Sequence, residues 1–204
     1  MVDCQWSVVS SQSSVVSRVD TLVTTDNGRL TTDTQNKKEQ QAARTLVNVI
    51  VNISDAKVSS DPDVVLATYS LGSCIGVTLY DPGLRMAGML HFQLPTSTLD
   101  TQRARQNPLM FADTGFDALL AGMIKQGADK KRLKVRMAGA AQMLNDSKLF
   151  DIGRRNHAAM RKSLWQHGLF VDAESIGGNT PRTMYLSVAD GTVTLKMGSE
   201  TVQL

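Results

Sequence analysis

Thr68-Tyr69-Ser70-Leu71-Gly72-Ser73-Cys74-Ile75-Gly76-Val77-Thr78-Leu79-Tyr80-Asp81-Pro82-Gly83-Leu84-Arg85-Met86-Ala87-Gly88-Met89-Leu90-His91-Phe92 is the stretch on which the fold turns. Ile75 to Tyr80 alternates apolar with small or polar residues, the pattern of a half-buried strand. Asp81-Pro82-Gly83 supplies turn chemistry, and Met86 to Phe92 reads as the returning strand. An even-length loop centred on Pro82-Gly83 pairs residues whose numbers sum to 165, so Asp81 faces Leu84 and Cys74 faces His91. Directly opposed residues of an antiparallel pair share a face, with Cβ atoms about 4.5–5.5 Å apart.

That pairing is the candidate site. A free thiol has a pKa of about 8.5, and an imidazole beside it can take its proton. Cys74 is the candidate nucleophile and His91 the candidate base. Thr68 ends the preceding strand, where its hydroxyl can orient the ring. The approach Gly72-Ser73 offers backbone N–H groups for an oxyanion. Residue type alone also fits a plain core cysteine, because free cysteine is among the most buried residues. Two other roles stay open: a binding module with weak or lost catalysis, or another cysteine hydrolase such as a protease or thioesterase.

Outward from this hairpin, Leu46 to Ile53 reads as a strand with apolar residues on both faces, and Val64 to Thr68 as another. Asn107 and Pro108 can open a helix carrying Leu109, Ala112, Phe116, Leu119, Leu120, Met123 and Ile124, with Gly127 placed to end it. Leu133, Val135 and Met137 alternate into a strand, and Asp151 to His167 reads as a helix ending at Gly168. Met184, Leu186 and Val188 face Val193, Leu195 and Met197 across Asp190-Gly191. Strands and helices intersperse without strict alternation, which predicts an α+β fold. Residues 1–45 read as a flexible or weakly ordered leader and 46–204 as the catalytic domain. Between Met1 and Thr34 stand six serines and six threonines.

The formal charge of +3 is mild and no Lys/Arg cluster is dense, which argues against a nucleic-acid partner. Two cysteines, Cys4 in the leader and Cys74 in a strand pattern, do not make a disulfide framework, so a reducing, cytoplasmic location is expected. No secretory signal and no membrane span is visible. His157 and His167 lie ten residues apart in a helical pattern, and no Cys/His spacing suits a metal. No cofactor is expected.

Thr68 to Cys74, Tyr80-Asp81-Pro82 and His91-Phe92-Gln93-Leu94-Pro95 together resemble the chemoreceptor glutamine deamidase family CheD. Ala112-Asp113-Thr114, Lys125-Gln126-Gly127-Ala128, Gly139-Ala140, Ile152-Gly153-Arg154-Arg155-Asn156 and Ile176-Gly177-Gly178 follow in order, so the resemblance runs from about Leu46 to Met197. It implies a Cys-His-Thr triad, falling on Cys74, His91 and Thr68. It implies packed β-sheets flanked by helices, as in bacterial toxin deamidases. It further implies deamidation of glutamines on methyl-accepting chemotaxis receptors, some methylesterase activity, and a CheC-type phosphatase as partner. Ser70 stands where many relatives carry glycine, and Gln93 where many carry methionine.

Overall fold

The computed structural model describes residues 45–142 and 151–204. The leader expected over residues 1–45 lies outside them, apart from Thr45. Among the described residues ten strands form two five-stranded sheets. One has the order β1 (Val47–Ile50), β3 (Val64–Leu71), β8 (Arg182–Ser187), β9 (Val193–Met197), β10 (Glu200–Gln203). The other has the order β2 (Asp55–Ser59), β5 (Met86–Phe92), β4 (Ile75–Asp81), β6 (Lys134–Gly139), β7 (Ala173–Ile176). Among the described residues the α-helices are α1 (Thr101–Gln106), α2 (Ala112–Lys125) and α3 (Ile152–Gln166). This is the α+β architecture of packed sheets and flanking helices.

The β4–β5 hairpin is buried on both faces, not one. Ile75, Val77, Leu79, Leu90 and Phe92 pack with Phe116, Leu119 and Met123 of α2 and Met160 and Leu164 of α3. The opposite face carries Tyr80, Ala87 and Met89, which pack with Leu66, Met184, Leu186 and Leu195 of the second sheet. The alternation in β4 therefore separates two interiors, large apolar residues toward the helices and smaller or polar ones toward the other sheet.

The turn departs from the sequence reading. Asp81 pairs with Met86 and Gly76 with His91, so paired numbers sum to 167 and the loop holds four residues, Pro82 to Arg85. Fully buried Asp81 fixes it. Its carboxylate accepts from the Gly83 N–H (2.8 Å), the Asp129 N–H (2.8 Å) and Arg132 Nε and Nη2 (2.9 and 2.8 Å). Arg85 takes a left-handed conformation at φ 49° to close the loop. The register moved by two residues, an even number, so every side chain keeps the face the alternation assigned to it.

Elsewhere the helix expected from Asn107 begins later. Pro108–Met110 forms a separate 3₁₀ turn and α2 starts at Ala112. Asp151 caps α3 by accepting from the Arg154 N–H at 3.0 Å.

Candidate active site

Thr68 and His91 meet at one end of the space between the sheets, and Cys74 lies just before β4 at the same end. Thr68 comes from β3 in one sheet and His91 from β5 in the other. Thr68 Oγ1 and His91 Nδ1 are 2.8 Å apart and both side chains are buried. Gly76 makes this possible. It lies directly opposite His91, and a Cβ there would come within 3.0 Å of Leu71 Cδ1 and 3.4 Å of the Thr68 methyl.

A bulge in β3 delivers both Thr68 and the approach to Cys74. Thr68 pairs with Met184 but Leu71 with Arg182, so β3 carries one residue more than its partner between those rungs. Ser70 takes up the extra residue at φ 56°. Val64, Leu66 and Thr68 face inward before the bulge, and Leu71 faces inward after it. The chain then crosses between the sheets through Gly72-Ser73 and enters β4 just past Cys74.

Cys74 is half-buried and does not stand straight across from His91. It lies two residues along from Gly76, in phase with it, a position diagonal to His91, which in a regular strand pair means about 7–8 Å. His91 Nε2 is buried and makes no hydrogen bond. Burial pushes the His91 pKa down to about 4. Burial also raises the Cys74 pKa, against a smaller lowering by its own backbone N–H. At neutral pH the two groups are therefore thiol and neutral imidazole, not an ion pair.

The carbonyls of the approach are all engaged. The Ala141 N–H binds Gly72 O at 2.7 Å, Asn156 Nδ2 binds Ser73 O at 3.0 Å, and the Ala140 N–H binds Cys74 O at 2.9 Å. Gly139 lets β6 approach this closely. It sits at φ 127°, and a Cβ there would collide with Cys74 O. In a trans peptide the N–H points opposite to the preceding C=O. The Ser73 and Cys74 N–H groups are thus turned away from these carbonyl partners.

Of the residues singled out from the sequence, the structure brings Thr68 and His91 into contact, sets Gly76 in place of Cys74 directly opposite His91, and adds Gly76 and Asn156, which the sequence reading did not assign to the site. Asn156 left a signal, since it falls on the buried stripe of α3 with Gly153, Met160, Ser163 and Leu164. A polar amide on such a stripe needs partners. His157 and His167 lie apart from the site, against Glu174 (3.0 Å) and Asp117 (2.7 Å) respectively.

A family model described as CheD chemotactic sensory transduction matches residues 93–197, beginning two residues past His91. The chain is 44% identical over 156 residues to "Probable chemoreceptor glutamine deamidase CheD" of Solibacter usitatus, covering 76% of this chain and 92% of that protein. It is 42% identical over 149 residues to "Probable chemoreceptor glutamine deamidase CheD 1" of Syntrophus aciditrophicus, covering 73% and 93%. Among solved structures, Bacillus licheniformis hypothetical protein YfiH is similar at a TM-score of 0.40 and 14% identity, over 61% of this chain and 51% of that one. That last likeness is too low to bear on the site. Nearly full-length coverage of the curated relatives at this identity decides the matter: the chain belongs to the CheD family.

Proposed function

We propose that this chain is a protein-glutamine deamidase acting on chemoreceptors in the cytoplasm, with residues 46–204 as its catalytic domain. The observation that carries the reading is the Thr68–His91 contact, which leaves a buried, unpartnered Nε2 on the face that Cys74 shares. With Nδ1–H donated to Thr68 Oγ1, Nε2 keeps its lone pair and can act as base. Cys74 Sγ attacks the side-chain carboxamide carbon of a glutamine while Nε2 takes the thiol proton. The tetrahedral oxyanion accepts from the Ser73 and Cys74 N–H groups, and Gly72 contributes the carbonyl that orients Ser73. Collapse breaks the C–N bond and the imidazolium returns its proton to the departing ammonia. Water, deprotonated by the same nitrogen, then cleaves the thioester, giving glutamate and the free thiol.

Because burial keeps both groups neutral, proton transfer accompanies attack instead of preceding it. Thr68 orients the ring but adds no charge, so the imidazolium is stabilised less than a carboxylate partner would allow. Membership of the family supports receptor glutamines as the substrate. Among the described residues no helix is long and apolar enough to cross a membrane. A CheC-type phosphatase partner follows from the family resemblance alone. Chemotaxis supported by Cys74→Ala would favour that docking role over catalysis.

The deciding experiment mixes the protein with receptor fragments and measures ammonia together with the mass change of amide-to-acid conversion. Cys74→Ala should fold normally and lose activity by about 10⁴-fold or more. Turnover at the unmutated rate in that variant, or peptide cleavage as the product, would overturn the reading.

A further inference from the structure

The rungs between β4 and β5 stop at Ile75–Phe92, one step short of Cys74. Cys74 and Gln93 come next in register as a non-hydrogen-bonded pair, and the hydrogen-bonded rung beyond them would join Ser73 to Leu94, but the backbone of Leu94 is engaged elsewhere. The Leu94 N–H donates to Met110 O at 3.0 Å, and Leu94 O accepts from the Ala112 N–H at 2.9 Å. The two strands that carry nucleophile and base thus part where the site begins.

Asn156 spans the gap. Its Nδ2 donates to Ser73 O at 3.0 Å and to Gln93 O at 2.7 Å. A carboxamide nitrogen carries two hydrogens, so both bonds form at once without introducing charge. The side chain is fully buried, and its Oδ1 has no partner. An unsatisfied buried acceptor is costly, and an apolar residue on this helical stripe would avoid that cost. The helix is drawn close enough for the contact by Gly153, one turn earlier, where a Cβ would lie 2.8 Å from Ala140 O.

We propose that Asn156 is a positioning residue for the Cys74–His91 pair, replacing the missing rung by fastening the peptide before the nucleophile to the peptide beyond the base. It sets two things together. The hold on Ser73 O fixes the 73–74 peptide plane and hence the direction of the Cys74 N–H. The joint hold on Ser73 and Gln93 fixes how far the thiol stands from the imidazole. The catalytic consequence rests on the deamidase reading; the geometric one does not.

The test compares Asn156→Asp, which keeps the shape but loses both donors, with Asn156→Ser, which keeps one. Ser163→Ala, on the same buried face of α3, serves as structural control. Ammonia release should show kcat falling about 10²-fold in Asn156→Asp with KM within about 3-fold, the signature of a misplaced reacting pair. Asn156→Ser should fall between. Independently of any substrate, the rate of Cys74 alkylation by iodoacetamide at pH 7, relative to the rate at pH 10, should drop several-fold in both Asn156 variants. Ser163→Ala should lower the melting temperature without moving either readout. If both Asn156 variants alter only the melting temperature, as the control does, the proposal fails. Should the unmutated protein release no ammonia while its alkylation still depends on Asn156, the deamidase reading falls and the positioning role stands.

Discussion

The two ends of the β4–β5 hairpin solve the same problem, a buried ionisable side chain, in opposite ways. At the turn end Asp81 has four hydrogen-bond donors around it, which more than offset desolvation and hold its pKa down at about 2. At the open end His91 has one partner, and burial alone pushes its pKa down to about 4. Both values are lowered, but Asp81 is kept charged and His91 is kept neutral. The saturated end holds the hairpin shut. The unsaturated end retains one orphan nitrogen, His91 Nε2, free for proton transfer.

The contrast breaks most sharply at His91. His91→Ala should reduce the rate of ammonia release by about 10²–10⁴-fold, as expected for loss of a general base. It should also change how stability responds to acid. The folded chain keeps His91 neutral down to about pH 4, whereas the unfolded chain protonates it near 6.5. The unfolded state therefore binds more protons in that window, and stability falls as pH drops from about 6.5 to about 4. Thermal melts of His91→Ala should lack that part of the slope. Melts that keep the full slope would show that the ring is not held neutral.

Asp81 provides the opposite signature. Its contribution is complete above pH 3.8 and is lost as pH falls through about 2. Asp81→Ala leaves the Gly83 and Asp129 N–H groups and the Arg132 guanidinium without their acceptor, at a cost on the order of 3 kcal/mol. Denaturant titration should register that loss, while turnover per folded molecule stays within about 2-fold because His91 and the proposed site lie at the far end of the hairpin. A large fall in turnover per folded molecule would mean the two ends are coupled. Thr68→Val comes next in size. It preserves volume, removes the only partner of His91 Nδ1 among the described residues, and should slow ammonia release by about 10-fold. An unchanged rate would remove Thr68 from the mechanism.

The same contrast explains what the sequence could reveal. Face assignment needs only period-two alternation, so Cys74 and His91 could be set on a shared face from the residues alone, while Thr68, in the other sheet, could be placed only at the end of the preceding strand. Register needs the loop length, and Pro82-Gly83 reads as a two-residue centre. The four-residue loop depends on Arg132, 51 residues from Asp81, and on the left-handed turn at Arg85. Distant partners of that kind leave no local pattern. The strands that went unread, β2, β7 and β10, are short, largely polar and stand at sheet edges, where a neighbour supplies the pairing that their own composition does not announce. Helix α1, Thr101-Gln102-Arg103-Ala104-Arg105-Gln106, lacks an apolar stripe for the same reason: it buries nothing. Asn156 was visible only as a polar residue out of place, and its two acceptors lie 83 and 63 residues away.

The smallest effect tests the bulge that separates Thr68 from the nucleophile's approach. Ser70 is exposed and holds φ at 56°, a conformation that costs a residue with a Cβ about 1–2 kcal/mol and glycine almost nothing. Glycine returns part of that advantage through its greater freedom in the unfolded chain. Ser70→Gly should therefore stabilise the protein by about 0.5–1 kcal/mol in denaturant titration, with turnover changed by less than about 2-fold. Because the substitution relaxes the bulge without altering its length, Thr68 and Leu71 both stay inward. Destabilisation by glycine would show that the Ser70 side chain, not the backbone geometry, holds the bulge, and the account of how Thr68 reaches His91 would have to be rebuilt from that hydroxyl.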